Sequence, residues 1–371
     1  MTATSTAWDN ATNVLCVRLD HIGDVLMSTP AMAALKEGRP DRRLTLLTSS
    51  AGAAIASLIP VVDDVIVYDA PWMKATASRV DSGPEFAMAE RLRAGRFDAA
   101  VIFTVYSQTP MPPTLLCYLA DIPLRLAHCR ENPYQLLTDW VPEVEPERGI
   151  RHEVQRQLDL VATVGCHATD ERMTLRAPHE AAHRADVLLV ETEIDPSRPW
   201  IIVHPGATAP SRRYPAEGFA AVARRLVVES GWQVLFTGTA PEAELIAHIR
   251  AMAGVPTQAL VGRASLAEFA ALIARAPLLL SNNTGPVHIA AALGTPVVDL
   301  YALTNPQHTP WAVPSRVLSH DVPCKYCYKS ICPMGHHDCL RRVAPDAVVD
   351  AVRELFDERA AGVAMAAQVR A

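Results

Sequence analysis

The sequence contains no uninterrupted apolar run of about 20 residues, the length that a helix needs to span a bilayer. The best candidate, residues 270–280, is interrupted by Arg275. Residues 1–13 contain no lysine, no arginine and no apolar core, so they lack the pattern of a signal peptide. We therefore expect a soluble, cytoplasmic protein.

An excess of basic residues is also missing. The formal net charge is -6, so nucleic acid is not an expected partner. No GxGxxG motif follows the first predicted strand, and there is no Walker A loop and no GxSxG motif. These absences argue against nicotinamide-dependent oxidoreductases, P-loop kinases and α/β-hydrolases.

The apolar residues form short continuous runs separated by helical stretches, as in parallel sheets that are buried on both faces. The predicted strands are residues 14–18, 44–48, 65–68, 99–103, 200–203, 234–237, 278–280 and 297–300, and the predicted helices are residues 25–37, 215–230, 242–253 and 286–293. Because the rhythm restarts near residue 200 of 371, we predict an α/β fold of two doubly wound domains. Residues 179–198 would be the linker, and residues 353–371 a helix that frays into a tail.

Gly23 and Asp24 follow the first predicted strand directly. The glycine permits a tight turn, and Asp24 stands at the start of the next helix, where it could simply cap that helix. The same position is the carboxyl end of a parallel strand, where open α/β sheets place their ligands. Asp24 is therefore a candidate for the base that deprotonates an attacking hydroxyl.

The first strand of the second domain is followed by residues 204–215, which combine a glycine turn with Thr208, Arg212 and Arg213. Paired arginines beside a helix start suit a diphosphate, because the guanidinium binds phosphate in a fixed two-pronged geometry. A solvated arginine pair is the alternative interpretation.

Two further strand-end turns lie in the same domain. Asn283, Thr284, Gly285 and His288 surround the start of a predicted helix, which favours an anion and sugar-hydroxyl site over ordinary helix capping. Gly238 and Glu242 follow another strand. The glycine could approach a nucleotide and Glu242 could hold ribose hydroxyls, although a plain turn explains them at least as well.

Four of the eight cysteines cluster late in the chain, in the pattern Cys324-x2-Cys327-x4-Cys332-x6-Cys339. Four thiolates are chemically sufficient for a structural zinc ion or an iron–sulfur cluster. Reduced thiols or a surface disulfide are the alternatives. Residues 179–183 also match the HExxH pattern of zinc proteases, but with no third ligand nearby we interpret this match as chance.

Taken together and in this order, these motifs resemble glycosyltransferase family 9, the ADP-heptose:lipopolysaccharide heptosyltransferases. The resembling segments are residues 17–30, 204–215, 260–266 and 281–293, together with the cysteine cluster running into Leu340. The resemblance implies a GT-B fold, in which two Rossmann-like domains face each other across a cleft. Residues 1–185 would bind the acceptor and residues 186–345 the nucleotide sugar. Residues 346–371 would form a helix and tail that cross back to the first domain.

The resemblance also implies an inverting transfer that needs no metal ion. Asp24 would be the general base and Arg212 would contact the donor diphosphate. Thr284, Gly285 and His288 would bind the diphosphate and the donor sugar. The family commonly carries an aspartate before Thr-Gly where this chain has Asn283, and this departure leaves the identity of the donor sugar open.

The expected function is therefore transfer of a sugar, with heptose from ADP-heptose as the first choice, to a glycan, lipid-linked or small-molecule acceptor. No cofactor is expected for catalysis, and any membrane contact would be made through the acceptor. One alternative is a GT-B sugar-nucleotide epimerase, which would act without an acceptor. The other is a non-catalytic nucleotide-sugar-binding protein.

Overall fold

The computed structural model describes residues 3–74 and 76–369. The chain divides into two compact units between Arg176 and Ala177. The predicted boundary, after residue 185, would instead cut the helix His179–Glu191, which lies wholly in the second unit.

The first unit is a six-stranded parallel sheet with helices. Its elements are α1 Ala3–Asn10, β1 Asn13–Arg18, α2 Ile22–Met27, α3 Thr29–Glu37, β2 Arg43–Thr48, α4 Ser50–Ala56, β3 Asp64–Val67, α5 Gly83–Ala94, β4 Ala99–Ile102, α6 Met111–Leu119, β5 Leu124–Cys129, β6 Asp139–Pro142 and α7 Glu153–Ala162. The strand order is β3-β2-β1-β4-β5-β6, and every pair is parallel. The order reverses between β1 and β4, where such sheets open a ligand crevice at the carboxyl ends of the strands.

The second unit repeats this design. Its elements are α8 His179–Glu191, β7 Trp200–His204, α9 Ala216–Ser230, β8 Gln233–Gly238, α10 Ala243–Ala253, β9 Gln258–Val261, α11 Leu266–Arg275, β10 Leu279–Asn282, α12 Gly285–Leu293, β11 Val297–Leu300, β12 Ser315–Leu318, α13 Asp338–Arg341 and α14 Pro345–Val369. The order β12-β11-β10-β7-β8-β9 is again fully parallel and reverses between β7 and β10.

All eight predicted strands are present. Seven of them are apolar runs that are mostly buried, whereas β3, at the edge of its sheet, is half-buried to exposed. Every residue of β4, β7, β10 and β11 is buried. Strands β5, β6, β9 and β12 were not predicted. Strand β5 carries Arg125 and His128 within its buried run, and the other three lie at sheet edges and are only partly buried.

The single helix predicted over residues 25–37 is wrong, since the structure divides it into α2 and α3 at Ser28. Pro30 causes the break, because proline has no N–H to donate and its ring clashes with the carbonyl of the residue four positions earlier. That carbonyl, of Leu26, instead accepts a hydrogen bond from the Thr29 hydroxyl at 2.7 Å.

Helix α14 contacts α9, β11 and β12 of its own unit. Its crossing back to the first unit stays a prediction, and residues 370 and 371 of the predicted tail lie outside the described residues. Among the described helices, none combines the length and the apolar composition needed to cross a membrane.

Candidate functional site

In the second unit, Asn282 ties together the two strand-end loops that flank the reversal point. It lies at the end of β10, accepts a hydrogen bond from the backbone N–H of Tyr214 at 2.9 Å and donates one to the Pro205 carbonyl at 2.7 Å. Residues 205–214, which carry the predicted arginines, are therefore anchored beside the start of α12.

The two arginines of this loop face different surroundings. Arg212 ends a 3₁₀ turn, is half-buried, and its positive charge acts to lower the pKa of both Asp299 and Tyr301. Its guanidinium therefore lies near the end of β11. Arg213 is exposed and donates from Nε to the Ala207 carbonyl at 2.8 Å. Thr208 is exposed as well, so Arg212 is the better-placed cation.

Asn283, between β10 and α12, is buried and fixed by its neighbours. Its Nδ2 donates to Asp299 Oδ2 at 2.8 Å and to the His308 carbonyl at 2.9 Å. Both amide hydrogens are thus donated to protein groups, which leaves Oδ1 as the atom that can accept a hydrogen bond from a ligand. Thr284 and Gly285 follow at the start of α12, and His288 is buried in its first turn.

Asp299 is fully buried, and burial raises the pKa of its carboxyl to about 8 although Asn283 and Arg212 act in the opposite direction. No polar atom of the described residues bonds its Oδ1. At neutral pH this carboxyl is therefore mostly protonated, because burial in a low-dielectric interior disfavours the charged form.

The carboxylate of Glu242 packs between the loops that follow β7 and β8. Its Oε2 accepts hydrogen bonds from the Thr239 N–H at 2.7 Å and the Thr239 hydroxyl at 2.9 Å. A Cβ atom placed on Gly206 would lie only 1.7 Å from Glu242 Oε1, and one on Gly238 would lie 3.1 Å from Oε2. Gly206 is therefore needed for the carboxylate to lie at the carboxyl ends of these strands, where ribose hydroxyls bind in such folds, whereas a side chain at position 238 would clash first with Ile246.

In the first unit, Arg18 holds three carboxylates. Its side chain is wholly buried, and it pairs with Asp20 at 3.0 Å, Asp24 at 3.1 Å and Glu153 at 2.8 Å. One guanidinium cannot neutralise three negative charges, and a buried excess of negative charge favours protonation of one carboxyl. Burial, opposed by Arg18 and reinforced by Asp24, accordingly raises the pKa of Asp20.

Asp24 and Asp20 differ in what they face. Asp24 accepts hydrogen bonds from Arg18 Nη2 and from the His21 N–H, the latter at 3.2 Å. It therefore does cap α2, which was the alternative to a catalytic role. Asp20 accepts from Gln108 Nε2 at 2.6 Å, which links the loops after β1 and β4 across the reversal point. Asp20 also lines a 1060 Å³ cavity, together with His21, Ser49, Asp69, Trp72, Lys74 and Gln108 among others.

Sequence reasoning missed Arg18, Asp20, Gln108 and Glu153 here, and Asp299 in the second unit. Asp20 could have been found, since it lies two residues beyond β1 and within the motif that contains Asp24. Glu153 carries no local signal, because its contact with Arg18 joins residues 135 positions apart.

The four clustered cysteines surround one small space. Cys324, Cys327, Cys332 and Cys339 are half-buried and line a 20 Å³ cavity together with His336 and Ser211. The pKa of Cys339 is raised, first by burial and then by the three other thiols. All eight cysteines are free. Within the described residues, no three histidine, cysteine or carboxylate donors are already set as a metal-binding group, and this includes the exposed His179 and His183.

Comparison with known proteins places the chain in a family. The family model "Glycosyltransferase family 9 (heptosyltransferase)" matches residues 86–337, which is more than half of the chain. Lipopolysaccharide heptosyltransferase 2 of Salmonella typhimurium is 26% identical over 93% of this chain and 99% of that protein.

Two solved structures show the same fold. A family 9 glycosyl transferase from Veillonella parvula superposes with a TM-score of 0.78 at 22% identity, covering 94% of this chain and 98% of that one. The E. coli ADP-heptose LPS heptosyltransferase II gives a TM-score of 0.71 at 23% identity, covering 93% and 99%. With two Rossmann-like units of the GT-B fold and a family match over most of its length, the chain belongs to glycosyltransferase family 9 and is a glycosyltransferase.

Proposed function

We propose that this enzyme transfers heptose from ADP-heptose to a sugar hydroxyl of a lipopolysaccharide-type acceptor, with inversion and without a metal ion. Its relatives support the sugar, the nucleotide and the acceptor class, since they include lipopolysaccharide heptosyltransferase 2 and an ADP-heptose LPS heptosyltransferase. The residues of the two units support the chemistry.

The observation that carries the donor assignment is the meeting of Arg212 and Asn283 at the reversal point of the second sheet. Asn282 joins their two loops, and Arg212 lies close enough to Asp299 to lower its pKa, while Asp299 binds Asn283. Arg212 and the N-terminus of α12 would stabilise the leaving diphosphate, as a metal ion does in other transferases. Asn283 Oδ1 would accept a hydrogen bond from a donor-sugar hydroxyl, and Glu242 would bind the ribose.

The first unit would supply the acceptor site and the base. We assign the acceptor sugar to the 1060 Å³ cavity, where Trp72 offers an apolar face and Asp20, Asp69 and Gln108 offer polar groups for hydroxyls. Asp24 would take the proton as the acceptor oxygen attacks the anomeric carbon. The bond from that carbon to the diphosphate then breaks, and its electron pair leaves with ADP. Arg18 and the His21 N–H hold the Asp24 carboxylate by hydrogen bonds and so fix its orientation for this task.

Ligand-induced thermal shifts with a panel of nucleotide sugars test the donor assignment first. ADP-heptose well above its Kd should stabilise the protein by about 2–4 kcal/mol, whereas UDP- and GDP-sugars should not. A thermal shift with another nucleotide sugar alone would identify that nucleotide sugar as the donor in place of ADP-heptose. Absence of a shift with every member of the panel would favour the non-catalytic alternative.

Variants of the two aspartates test the chemistry. Asp24→Asn should lower kcat by about 10²–10⁴-fold and leave the thermal shift with ADP-heptose intact, because general-base catalysis contributes this much. Asp20→Asn should mainly raise the KM of the acceptor. Conversion of the nucleotide sugar without any acceptor would instead identify an epimerase.

A further inference from the structure

Residues 322–337 hold their conformation without regular secondary structure or a core of their own. Tyr326, Tyr328, Ile331 and Met334 are all at least 40% exposed, so the segment buries little apolar surface. Tyr326, Tyr328 and His337 also have positive φ angles of 61°, 54° and 55°, a region that non-glycine residues avoid. Backbone hydrogen bonds from the N–H groups of Tyr326 and Tyr328 to the carbonyls of Leu303 and Thr304 hold the segment, and a cross-link or a metal ion would reinforce it.

Thiols converge at the centre of this segment. Cys324, Cys327 and Cys332, together with Cys339 from α13, line the 20 Å³ cavity, which has room for a single particle of about the size of a water molecule. The thiols form no disulfide, and among the described residues they are not yet close enough together to coordinate a metal ion. Four cysteine thiolates in tetrahedral arrangement select zinc or iron over magnesium or calcium.

His336 is placed to support a thiolate and not to bind a metal itself. Its Nδ1 accepts a hydrogen bond from the Asp338 N–H at 2.9 Å, so in the neutral ring the proton lies on Nε2. Nε2 lies 3.7 Å from Cys324 Sγ, within reach of a hydrogen bond to sulfur. Hydrogen bonds of this kind stabilise a ligating sulfur and tune the site.

We propose that Cys324, Cys327, Cys332 and Cys339 bind one zinc or iron ion, and that this ion holds the donor-binding loop in place. On binding, the four thiols release their protons and form four metal–sulfur bonds with no change in oxidation state. All four cysteines belong to the second unit, and the proposed transfer assigns no step to the ion. We assign the ion a structural role.

The link to the donor site runs through Ser211. Its N–H donates to the Ser330 carbonyl at 3.0 Å, and its hydroxyl donates to the Lys329 carbonyl at 2.8 Å. Both carbonyls lie between Cys327 and Cys332, and Ser211 directly precedes Arg212. Closing the cysteine segment around an ion thus fixes the backbone that aims Arg212. This part of the inference rests on the proposed role of Arg212 in binding the donor diphosphate.

Elemental analysis of the full-length protein, purified under reducing conditions with zinc and iron supplied, tests the metal site. We expect one ion per chain, with the element and the visible absorption of iron thiolates distinguishing iron from zinc. The double variant Cys324→Ser/Cys327→Ser should lose it. Cys166→Ser, which removes a half-buried thiol of the first unit, should retain it. His336→Ala should retain the ion with about 10–100-fold weaker affinity.

A metal-free wild-type protein, or one whose four cysteines pair as disulfides, would overturn the site. The coupling is tested by the Kd of ADP, which removal of the ion should raise about 10-fold in the wild type and not at all in Arg212→Met. An unchanged Kd in the metal-free wild type would overturn the coupling. If the metal-loaded protein does not bind ADP, the proposed donor function fails, whereas the metal stoichiometry stands on its own.

Discussion

Replacement of the buried carboxyl Asp299 by asparagine should change how the stability of the protein depends on pH. Burial raises the pKa of this group from 3.8 to about 8 in the folded protein. Between these two values the folded state binds a proton that the unfolded state has released, so stability falls as pH rises. The loss is about 1.4 kcal/mol per pH unit and stops once the pH passes the folded pKa. Asp299→Asn keeps the size of the side chain and abolishes this titration.

The expected magnitude is large enough to measure. From about pH 5.5 to about pH 7.5 the wild type should lose about 3 kcal/mol relative to the variant. For a unit of this size 1 kcal/mol corresponds to about 2–4 °C in Tm, so the difference in Tm should change by about 6–12 °C. The Tm of the variant should rise relative to that of the wild type as pH rises, because the variant carries no buried carboxyl at position 299.

Thermal unfolding of both proteins, followed by circular dichroism at the two pH values, measures this difference. Every other titrating group is common to the two chains, so it cancels in the comparison. Asp357→Asn, which removes an exposed carboxylate of the same unit, is the control and should give a nearly constant difference in Tm. If the Asp299→Asn difference is constant as well, the carboxyl does not titrate in this range and the argument from burial is refuted.

Three further substitutions have defined outcomes. Arg212→Met should raise the Kd of ADP by about 10–100-fold, and Arg213→Met by much less because Arg213 is exposed; equal effects in isothermal titration would contradict the assignment of the diphosphate to Arg212. Arg18→Met should lower the free energy of unfolding by about 3–5 kcal/mol in urea titrations, since it leaves buried carboxylates without a partner; a change below about 1 kcal/mol would show that these carboxyls are already neutral. Phe236→Ala should cost about 3–5 kcal/mol in the same assay, against about 0.5 kcal/mol or less for the exposed control Val228→Ala.

The sequence was most informative where burial and chemistry are both local. Strands β1, β4, β7 and β10 are short apolar runs, and the polar residues that follow them must lie at one edge of the sheet. The same alternation of apolar runs and helical stretches in both halves of the sequence also predicted two similar domains. Helix breaks were harder, as the division of α2 from α3 shows, because amphipathic spacing continues through Pro30 although the hydrogen bonding does not.

What could not be predicted depends on contacts between distant residues. Glu153 reaches Arg18 only because α7 packs on α3 and β5 of the same unit, and no pattern near residue 153 indicates a charged partner. Gln108 and Asp20 lie 88 positions apart and meet because β1 and β4 are neighbours in the sheet. Sequence spacing alone contains neither strand order nor register.

Position 283 of the second unit departs from the aspartate that the family commonly carries before Thr-Gly. An aspartate at position 283 would place a carboxylate beside the Asp299 carboxyl and close to Arg212, where a diphosphate is proposed to bind. Two such carboxyls at hydrogen-bonding distance cannot both ionise, and any charge they kept would repel the diphosphate. Asn283 avoids both effects, since its amide hydrogens satisfy Asp299 and the His308 carbonyl while its oxygen remains for a sugar hydroxyl. With Asp299 neutral, Arg212 keeps its positive charge for the donor. The amide therefore does more than replace a missing carboxylate: it leaves the positive potential of Arg212 undiminished at the place where we propose that the leaving diphosphate binds.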